Sequence, residues 1–237
     1  MTLDNLFIDI GAKNAEEARK RVQIGDFAVY EAPRFEQNGV LCGPYLDNRI
    51  GCVTLLLMME QLADKEIEND LYFVFTAQEE VGLRGAGAAA FAVEPDAAIA
   101  VDVTDTGDLP EMKSAMAVEL GKGPAVKVMD RSVICTPAVV DALEQAAKDC
   151  GVSAQREILL CGGTDTSALQ KARAGVQAGA VSIPTRYIHS PSELCAVSDV
   201  EDAAKLLAQY AHPKITDRIT GKFCKNRQVT NLRFCSM

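Results

Sequence analysis

The segment LYFVFTAQEEVGLRGAG, residues 71–87, joins a strand-like run to a helix-like run through two adjacent carboxylates. Its first part, residues 71–77, is rich in aromatic and branched side chains, as is typical of a buried strand. The small residues at 83–93 predict a helix. Glu79 and Glu80 lie between the two, where they repel each other and resist the loss of water. They therefore need solvent, a basic partner or a cation to compensate their charge.

Strands and helices alternate on either side of this segment. An apolar helix at 49–62 precedes it, and a strand at 97–102 follows it. Further along, strands and helices are expected in turn at 125–129, 137–150, 157–160, 166–172, 175–183 and 199–210. The alternation predicts an α/β fold, a mixed sheet with helices on both faces. In such sheets, ligands bind beyond the carboxyl ends of the strands.

The two ends of the chain depart from this pattern. Residues 1–46 contain short strand candidates at 6–10, 24–31 and 35–45 and a helix candidate at 15–22, separated by glycine turns. We therefore expect three regions. They are a β-rich segment at 1–46, an α/β domain at 47–213, and an irregular, basic tail at 214–237.

The acidic composition limits the classes of partner. The chain of 237 residues carries a formal net charge of −9, which argues against nucleic acid or an anionic membrane surface. No run approaches the roughly 20 apolar residues of a transmembrane helix, and the first residues lack the pattern of a signal peptide. The eight cysteines include no CxxC pair. This favours reduced thiols and a cytoplasmic protein.

Five side chains that can bind a metal ion follow predicted strands or precede a predicted helix. They are Asp47 in LDNR, Glu79, Glu80, Asp102 and His189 in YIHSPSE. Because strand ends meet at one rim of a sheet, groups far apart in sequence can meet there. Carboxylates with one imidazole suit zinc, cobalt or manganese. One glutamate can bind the ion while the other orients and deprotonates a water molecule.

Each of these residues also has an explanation without a metal. Asp47 could cap the helix that follows it, and Asp102 could cap a turn. The glutamate pair could lie in a solvated loop, and His189 could be an ordinary hydrogen-bonded group. Paired acids also hydrolyse glycosides without a metal. The acids of glycosidases, however, face each other across a substrate, whereas neighbours in a chain normally point apart.

Five motifs follow one another along the chain: LDNR, QEEVGLRGA, AVD, CGGTDTSALQ and IPTRYIHSPSE, beginning at residues 46, 78, 100, 161 and 183. Together they resemble the co-catalytic metallo-aminopeptidases of the glutamyl and tetrahedral (TET) type, some of whose relatives are called endoglucanases. The resemblance extends to about residue 210. It implies removal of N-terminal residues from peptides by a phosphorylase/hydrolase-like α/β domain with a small inserted β-rich dimerisation domain. Residues 1–46 would then be the remnant of that insertion with its return strand.

The resemblance also implies roles for the matching residues. Asp47 would bridge two divalent ions, zinc or cobalt. Glu80 and His189 would bind one of these ions, and Asp102 would bind the other. Glu79 would be the general base.

The CGGTDTSALQ loop has two interpretations. By resemblance it lines the substrate cleft, with Gly163 at the cleft and Asp165 in contact with the free amine of a peptide. Alternatively, Gly162 and Gly163 form a simple loop in which Thr164 or Asp165 caps the next helix.

One further histidine of the family, in a GHxD-type motif, has no counterpart in this sequence, and His212 matches no motif. The resemblance therefore implies an N-terminally truncated member in which the second ion, held by Asp47 and Asp102, binds weakly. Aminopeptidase activity would be impaired, or the chain would be an inactive homologue that serves as a binding or assembly partner. The family forms homo-oligomers from dimers to dodecamers, which we do not expect of this chain alone.

Overall fold

The computed structural model describes residues 5–110 and 116–212, together with the backbone of 231–236. The chain divides into two compact units, Met1–Glu31 and Ala32–Met237. This division differs from the boundary expected after residue 46, because the hairpin that follows residue 31 pairs with the main sheet.

The first unit contains one short helix, α1 (Ala15–Arg19), within its described residues. The helix begins at Asn14, whose side-chain oxygen accepts the N–H of Glu17 at 2.9 Å. The strands expected at 6–10 and 24–31 are not found there. The prediction fails because a strand needs a neighbour for its backbone hydrogen bonds, and the described part of this unit offers none.

Within the described residues, the second unit is built on a nine-stranded mixed sheet. Its strands are β1 (Phe35–Gln37), β2 (Val40–Gly43), β3 (Asp70–Phe75), β4 (Ala97–Thr104), β5 (Ala125–Met129), β6 (Gln155–Ile158), β7 (Gln177–Arg186), β8 (Glu193–Ala196) and β9 (Asn231–Ser236). Its helices are α2 (Leu46–Leu62), α3 (Arg84–Val93), α4 (Pro137–Cys150), α5 (Thr166–Gln170) and α6 (Val197–Ala211). The strand order is β1-β2-β8-β7-β4-β9-β3, and β5 joins β6 to β7. The predicted α/β fold with a mixed sheet is confirmed.

The strand β4 explains why helices cover both faces of the sheet. All eight of its residues are buried, and successive side chains of a strand point to opposite faces. Ile99 and Val101 belong to an apolar cluster with residues of α2, α4 and α6. Ala98 and Ala100 belong to a second cluster with residues of α3 and α5. Parallel pairing with β7 along the whole of β4 is consistent with a strand buried on both sides.

The sequence does not predict β8 or β9. β9 lies within the region 214–237, where we expect an irregular tail, and that expectation is wrong for Asn231–Ser236. The rest of that region, 214–230 and 237, lies outside the described residues. β9 pairs in parallel with β3 on one side and with β4 on the other. A six-residue run becomes a strand here because distant neighbours pair with it, and such partners leave no local pattern in the sequence.

None of the described helices has the length and apolar character needed to cross a membrane. The six cysteines whose side chains are described are free thiols.

Candidate metal centre

Glu79 and Glu80 follow β3 in a tight turn. The N–H groups of Gly82 and Leu83 both donate to the carbonyl oxygen of Glu79, at 3.0 and 2.8 Å. Leu83 then adopts a left-handed backbone conformation, with φ at 58°, at the start of α3. The turn is therefore closed by its own backbone, which leaves both carboxylates available for other contacts.

Gly85 brings the first turn of α3 against the end of β3. Its N–H donates to the carbonyl oxygen of Ala77 at 2.9 Å. A Cβ atom at this position would lie 2.6 Å from the backbone nitrogen of Ala77, which is closer than non-bonded atoms approach. The glycine of the QEEVGLRGA motif thus permits the close packing that sets the acid pair in place.

Asp47 lies in the first turn of α2, where the backbone leaves helical geometry at φ −75° and ψ 108°. Regular helical geometry begins only after Asn48, whose side-chain oxygen accepts the N–H of Gly51 at 3.1 Å, so Asn48 rather than Asp47 caps the helix. The Asp47–Asn48 peptide bond is cis. The side-chain amide of Asn48 donates to the carbonyl oxygen of Val101 at 2.8 Å. This bond ties the start of α2 to β4, one residue before Asp102.

Glu193, the first residue of β8, is a site residue to which the sequence motifs assign no role. Its side chain is buried, and its carboxylate accepts the N–H of Asp47 at 3.0 Å and the N–H of His189 at 2.9 Å. One carboxylate thus fixes the backbone at two residues from distant parts of the chain. The available signal was its place at the end of IPTRYIHSPSE, since a glutamate next to a buried strand needs a partner.

Asp47, Glu80 and His189 converge at the carboxyl ends of the strands. The Nε2 atom of His189 lies 3.0 Å from Oδ2 of Asp47 and 3.2 Å from Oε2 of Glu80. One ligand atom from each residue lies within 4.8 Å of the others, so a single divalent ion can contact all three. Asp47 is largely buried, whereas His189 and Glu80 face solvent. Catalytic zinc sites typically have three protein ligands and a further position that is open to solvent.

These three residues line a cleft of about 520 Å³ together with Glu79 and Asp102. Asp102 is 7% exposed, and its Oδ1 accepts the N–H of Val103 at 2.9 Å. Asp102 does not belong to the close group of three. All five predicted metal-site residues therefore meet in one cleft, but Asp102 stands apart from the close group of Asp47, Glu80 and His189.

The carboxyl groups of this cleft have raised pKa values. Burial, with the nearby charge of Glu80, raises the pKa of Asp47 to about 7. Burial, with the charge of Asp165, raises the pKa of Glu79 to about 8. Burial also raises the pKa of Asp102 well above its usual value, with Asp47 and Glu79 adding to the effect. Acids that are buried and repel one another favour their neutral forms, and a bound cation would reverse this preference.

The loop at residues 161–164 lines the same cleft. A Cβ atom at Gly163 would lie 2.7 Å from Oγ of Ser132, so the loop passes close to that side chain. The hydroxyl of Thr164 donates to Oδ2 of Asp130 at 3.2 Å, and Asp130 also accepts the hydroxyl of Ser132 at 2.8 Å. The turn at 130–132 therefore supports the predicted substrate loop.

Asp165 does not line this cleft, and it is 2% exposed. Its Oδ2 accepts the hydroxyl of Thr76, the residue after β3, at 2.7 Å. It is the N-cap residue of α5 but makes no capping hydrogen bond with its side chain. Its contact with Thr76 instead links α5 to the strand that carries the acid pair.

Arg186, at the end of β7, pairs with Asp108 in the loop after β4. Its Nε donates to Oδ1 at 3.2 Å and its Nη2 to Oδ2 at 2.6 Å. Burial alone would raise the pKa of Asp108, but the hydrogen bonds from Arg186 and Thr106 lower it to about 2. This pair fixes the end of β7 three residues before His189.

An α/β sheet with acids and one histidine gathered at its strand ends is typical of metal-dependent hydrolases. Comparison with protein families agrees with this class, because the model of the M42 glutamyl aminopeptidase family matches residues 1–206. The chain belongs to the M42 glutamyl aminopeptidase family.

Similar proteins come from bacteria and archaea. The chain is 48% identical over 209 residues to a candidate aminopeptidase of Acetivibrio thermocellus, a match that covers 88% of this chain and 62% of the relative. Aminopeptidase APDkam598 of Desulfurococcus kamchatkensis has a TM-score of 0.84 and 36% identity, covering 92% of this chain and 62% of that one. The TET1 peptidase of Pyrococcus horikoshii can assemble into a tetrahedron or a large octahedral shell. Its structure has a TM-score of 0.75 and 35% identity, and the match covers 86% of this chain and 59% of that one.

The chain spans only part of the length of these proteins. It covers 62%, 59% and 58% of three curated relatives.

Proposed function

We propose that this chain carries the metal centre of an aminopeptidase that removes N-terminal residues from peptides. The observation that carries the proposal is the group formed by Asp47, Glu80 and His189, with the half-buried Glu79 in the same cleft. Membership of the M42 glutamyl aminopeptidase family supports hydrolysis of peptide bonds as the reaction.

Glu79 is the general base in this proposal. It lines the cleft beside the three ligands without being one of them. Its carboxylate is therefore free to accept a proton from a water molecule as that water attacks the peptide carbonyl. The same carboxyl group can then give the proton to the departing amine.

Asp47, Glu80 and His189 would hold one divalent ion, and Asp47 with Asp102 would hold a second. Such ions supply Lewis acidity and stabilise the negative charge that develops in the transition state. Zinc or cobalt suits a set of carboxylates with one imidazole. Asp47 and Asp102 alone form an oxygen site, which suits manganese or magnesium better. We therefore propose one tightly bound ion and one weakly bound ion.

The proposed substrate is the N-terminal end of a peptide. The carboxyl oxygens that line the cleft can accept hydrogen bonds from the free amine of a peptide. Gly163 lines the cleft and allows a substrate to approach the backbone of the loop closely. Contact between Asp165 and the amine is also part of this proposal, and it requires the loop at 161–164 to move, because Asp165 is buried.

We further propose peptide substrates as the main partners and the cytoplasm as the compartment, where the free thiols would stay reduced. Self-association is supported by the assembly of the similar Pyrococcus horikoshii peptidase. We do not expect this chain alone to form a dodecamer. A monodisperse particle of twelve subunits in light scattering would contradict this expectation.

The proposed function is tested by measuring zinc and peptide hydrolysis on the same preparation. After saturation and dialysis, the protein should retain about one zinc ion per chain, and it should cleave aminoacyl-p-nitroanilides slowly when zinc or cobalt is added. Retention of no zinc would contradict the metal site. Zinc binding without hydrolysis would favour an inactive homologue that acts as a binding partner. Hydrolysis of glycosides by metal-free protein would contradict the proposal altogether.

A further inference from the structure

β3, the strand that leads to Glu79 and Glu80, pairs only with β9 among the described strands. The register runs from Asp70 opposite Asn231 to Phe75 opposite Ser236, so β9 covers the full length of β3. On its other side, β9 pairs with the first half of β4. Within the described part of the chain, β9 is thus the one strand that joins β3 to the rest of the sheet.

The three ligands differ in how much they depend on this link. The backbones of Asp47 and His189 are both held by the carboxylate of Glu193, which does not involve β9. Glu80 instead follows β3, and its position depends on where that strand lies. Without β9, the N–H and C=O groups on that side of β3 would have to find other partners, which a partly buried strand cannot do without cost.

We propose that β9 is a positioning element of the metal centre, because it holds β3 at the place in the sheet where Glu80 meets Asp47 and His189. This inference rests on the metal site proposed above. β9 lies beyond residue 206, where the family match ends, so membership of the family does not account for it. The affinity of the site for a divalent ion is therefore set in part by a six-residue strand more than 150 residues away from Glu80 in sequence.

Proline substitutions in β9 test the backbone hydrogen bonds of this strand separately from its side chains. Proline removes one N–H donor from a ladder, and it is poorly tolerated in an interior strand. Successive N–H groups of a strand point to opposite neighbours, so Arg233→Pro and Phe234→Pro break pairing with different strands. The matched controls are Arg233→Ala and Phe234→Ala, which remove the same side chains and keep the N–H groups.

The first experiment measures zinc affinity by competition with a chromophoric chelator, on full-length chains. Each proline variant should bind zinc roughly 10–100-fold more weakly than its alanine control, the range seen when supporting contacts of a metal site are lost. In a Glu80→Gln background, the proline substitutions should add little, because the ligand that they displace is already gone. Equal affinity of proline and alanine variants would overturn the inference, as would an undiminished proline effect in that background. Failure of the unmodified chain to bind zinc would instead contradict the metal site itself.

A second experiment tests the pairing without destabilising the sheet. Val74 lies opposite Cys235 in the register of β3 and β9, and opposite residues of paired strands share a face of the sheet. Mild oxidation of Val74→Cys should link the introduced thiol to Cys235, as detected by mass spectrometry of proteolytic peptides. The matched control is Phe73→Cys, whose side chain lies on the other face. A link in the first variant alone supports the proposal. No link in Val74→Cys, or equal yields in both variants, would overturn it.

Discussion

The two sides of the metal centre differ in how the chain holds them. Asp47 and His189 lie on one side, where the single buried carboxylate of Glu193 accepts a backbone N–H from each. Glu79 and Glu80 lie on the other side, in a turn closed by its own backbone at the end of β3. The first side is fixed by a side chain, and the second by strand pairing and the close packing of a glycine.

The two sides therefore contribute differently to metal binding and to proton transfer. The side held by Glu193 carries two of the three proposed ligands, Asp47 and His189, and fixes their backbone. The glutamate side carries the third proposed ligand and the proposed base, and it is joined to the sheet through β9 within the described residues. Substitutions on the Glu193 side should therefore weaken metal binding. Substitutions on the glutamate side should weaken metal binding if they change Glu80, and proton transfer if they change Glu79.

The largest effect is expected within the glutamate side. Glu79→Gln removes the proposed proton acceptor, so kcat should fall by about 10²–10⁴-fold while the zinc content stays the same. Glu80→Gln should lose its zinc on dialysis, because removing one of three proposed ligands weakens binding. Activity assays with aminoacyl-p-nitroanilides and metal analysis by mass spectrometry measure both quantities. Loss of zinc from both variants to the same extent would erase the distinction between the two residues.

A smaller effect is expected on the other side from Glu193→Ala. The N–H groups of Asp47 and His189 would lose the carboxylate that accepts them, so the backbone at these two residues would no longer be fixed. Zinc affinity should fall by roughly 10–100-fold, as is usual for supporting groups of metal sites. Chelator competition measures this loss.

Asp199→Ala is the matched control for that prediction. Asp199 is also buried and also accepts two backbone N–H groups, from Gly121 at 2.7 Å and Gly123 at 2.9 Å, but it does not line the cleft. Asp199→Ala should lower the free energy of unfolding without changing zinc affinity. Equal loss of zinc affinity in the two variants would mean that Glu193 acts through general stability.

The sequence predicts the glutamate side better than the Glu193 side, for a physical reason. An apolar run followed by Glu79 and Glu80 is a local pattern, and the strand, the turn and the helix after it all lie close to the predicted bounds. Glu193 acts on Asp47 across 146 residues. Hydrogen bonds between a side chain and a distant backbone leave no periodicity in the sequence.

The same reasoning explains which other features of the structure the sequence predicts and which it does not. The convergence of Asp47 and His189 follows from strand ends meeting at one rim, which topology makes predictable. β9 is not predictable in this way, because its partners are supplied by β3 and β4. Burial of Asp165 beside Thr76 depends on how α5 packs against the end of β3, and a loop motif alone does not reveal that packing.

A change within α3 tests how strictly the glutamate turn is packed. Gly85→Ala would place a Cβ atom 2.6 Å from the backbone of Ala77, so the helix must shift and the free energy of unfolding should fall by roughly 1–3 kcal/mol. Zinc affinity should fall with it, because Glu80 moves. Gly87→Ala is the matched control, since its nearest neighbour would be 4.0 Å away. It should stabilise the helix by about 0.5–1 kcal/mol. Urea titrations of both variants measure these changes, and equal behaviour would show that the turn tolerates movement.

The smallest effect is expected at the Asp108–Arg186 pair, which supports the His189 side from the end of β7. The pKa of Asp108 falls from its ordinary 3.8 to about 2, so the pair stabilises the fold above pH 4 and loses this contribution as the pH falls towards 2. Asp108→Asn should therefore lower the free energy of unfolding by roughly 1 kcal/mol at pH 7, the upper range for partly exposed pairs. The difference from the unmodified chain should shrink between pH 4 and pH 2 in urea titrations. Glu144→Gln is the control, because it breaks a similar pair with Arg156, whose side chain is 66% exposed, and should have a smaller effect. A difference for Asp108→Asn that does not change with pH would mean that its charge is not what holds the end of β7.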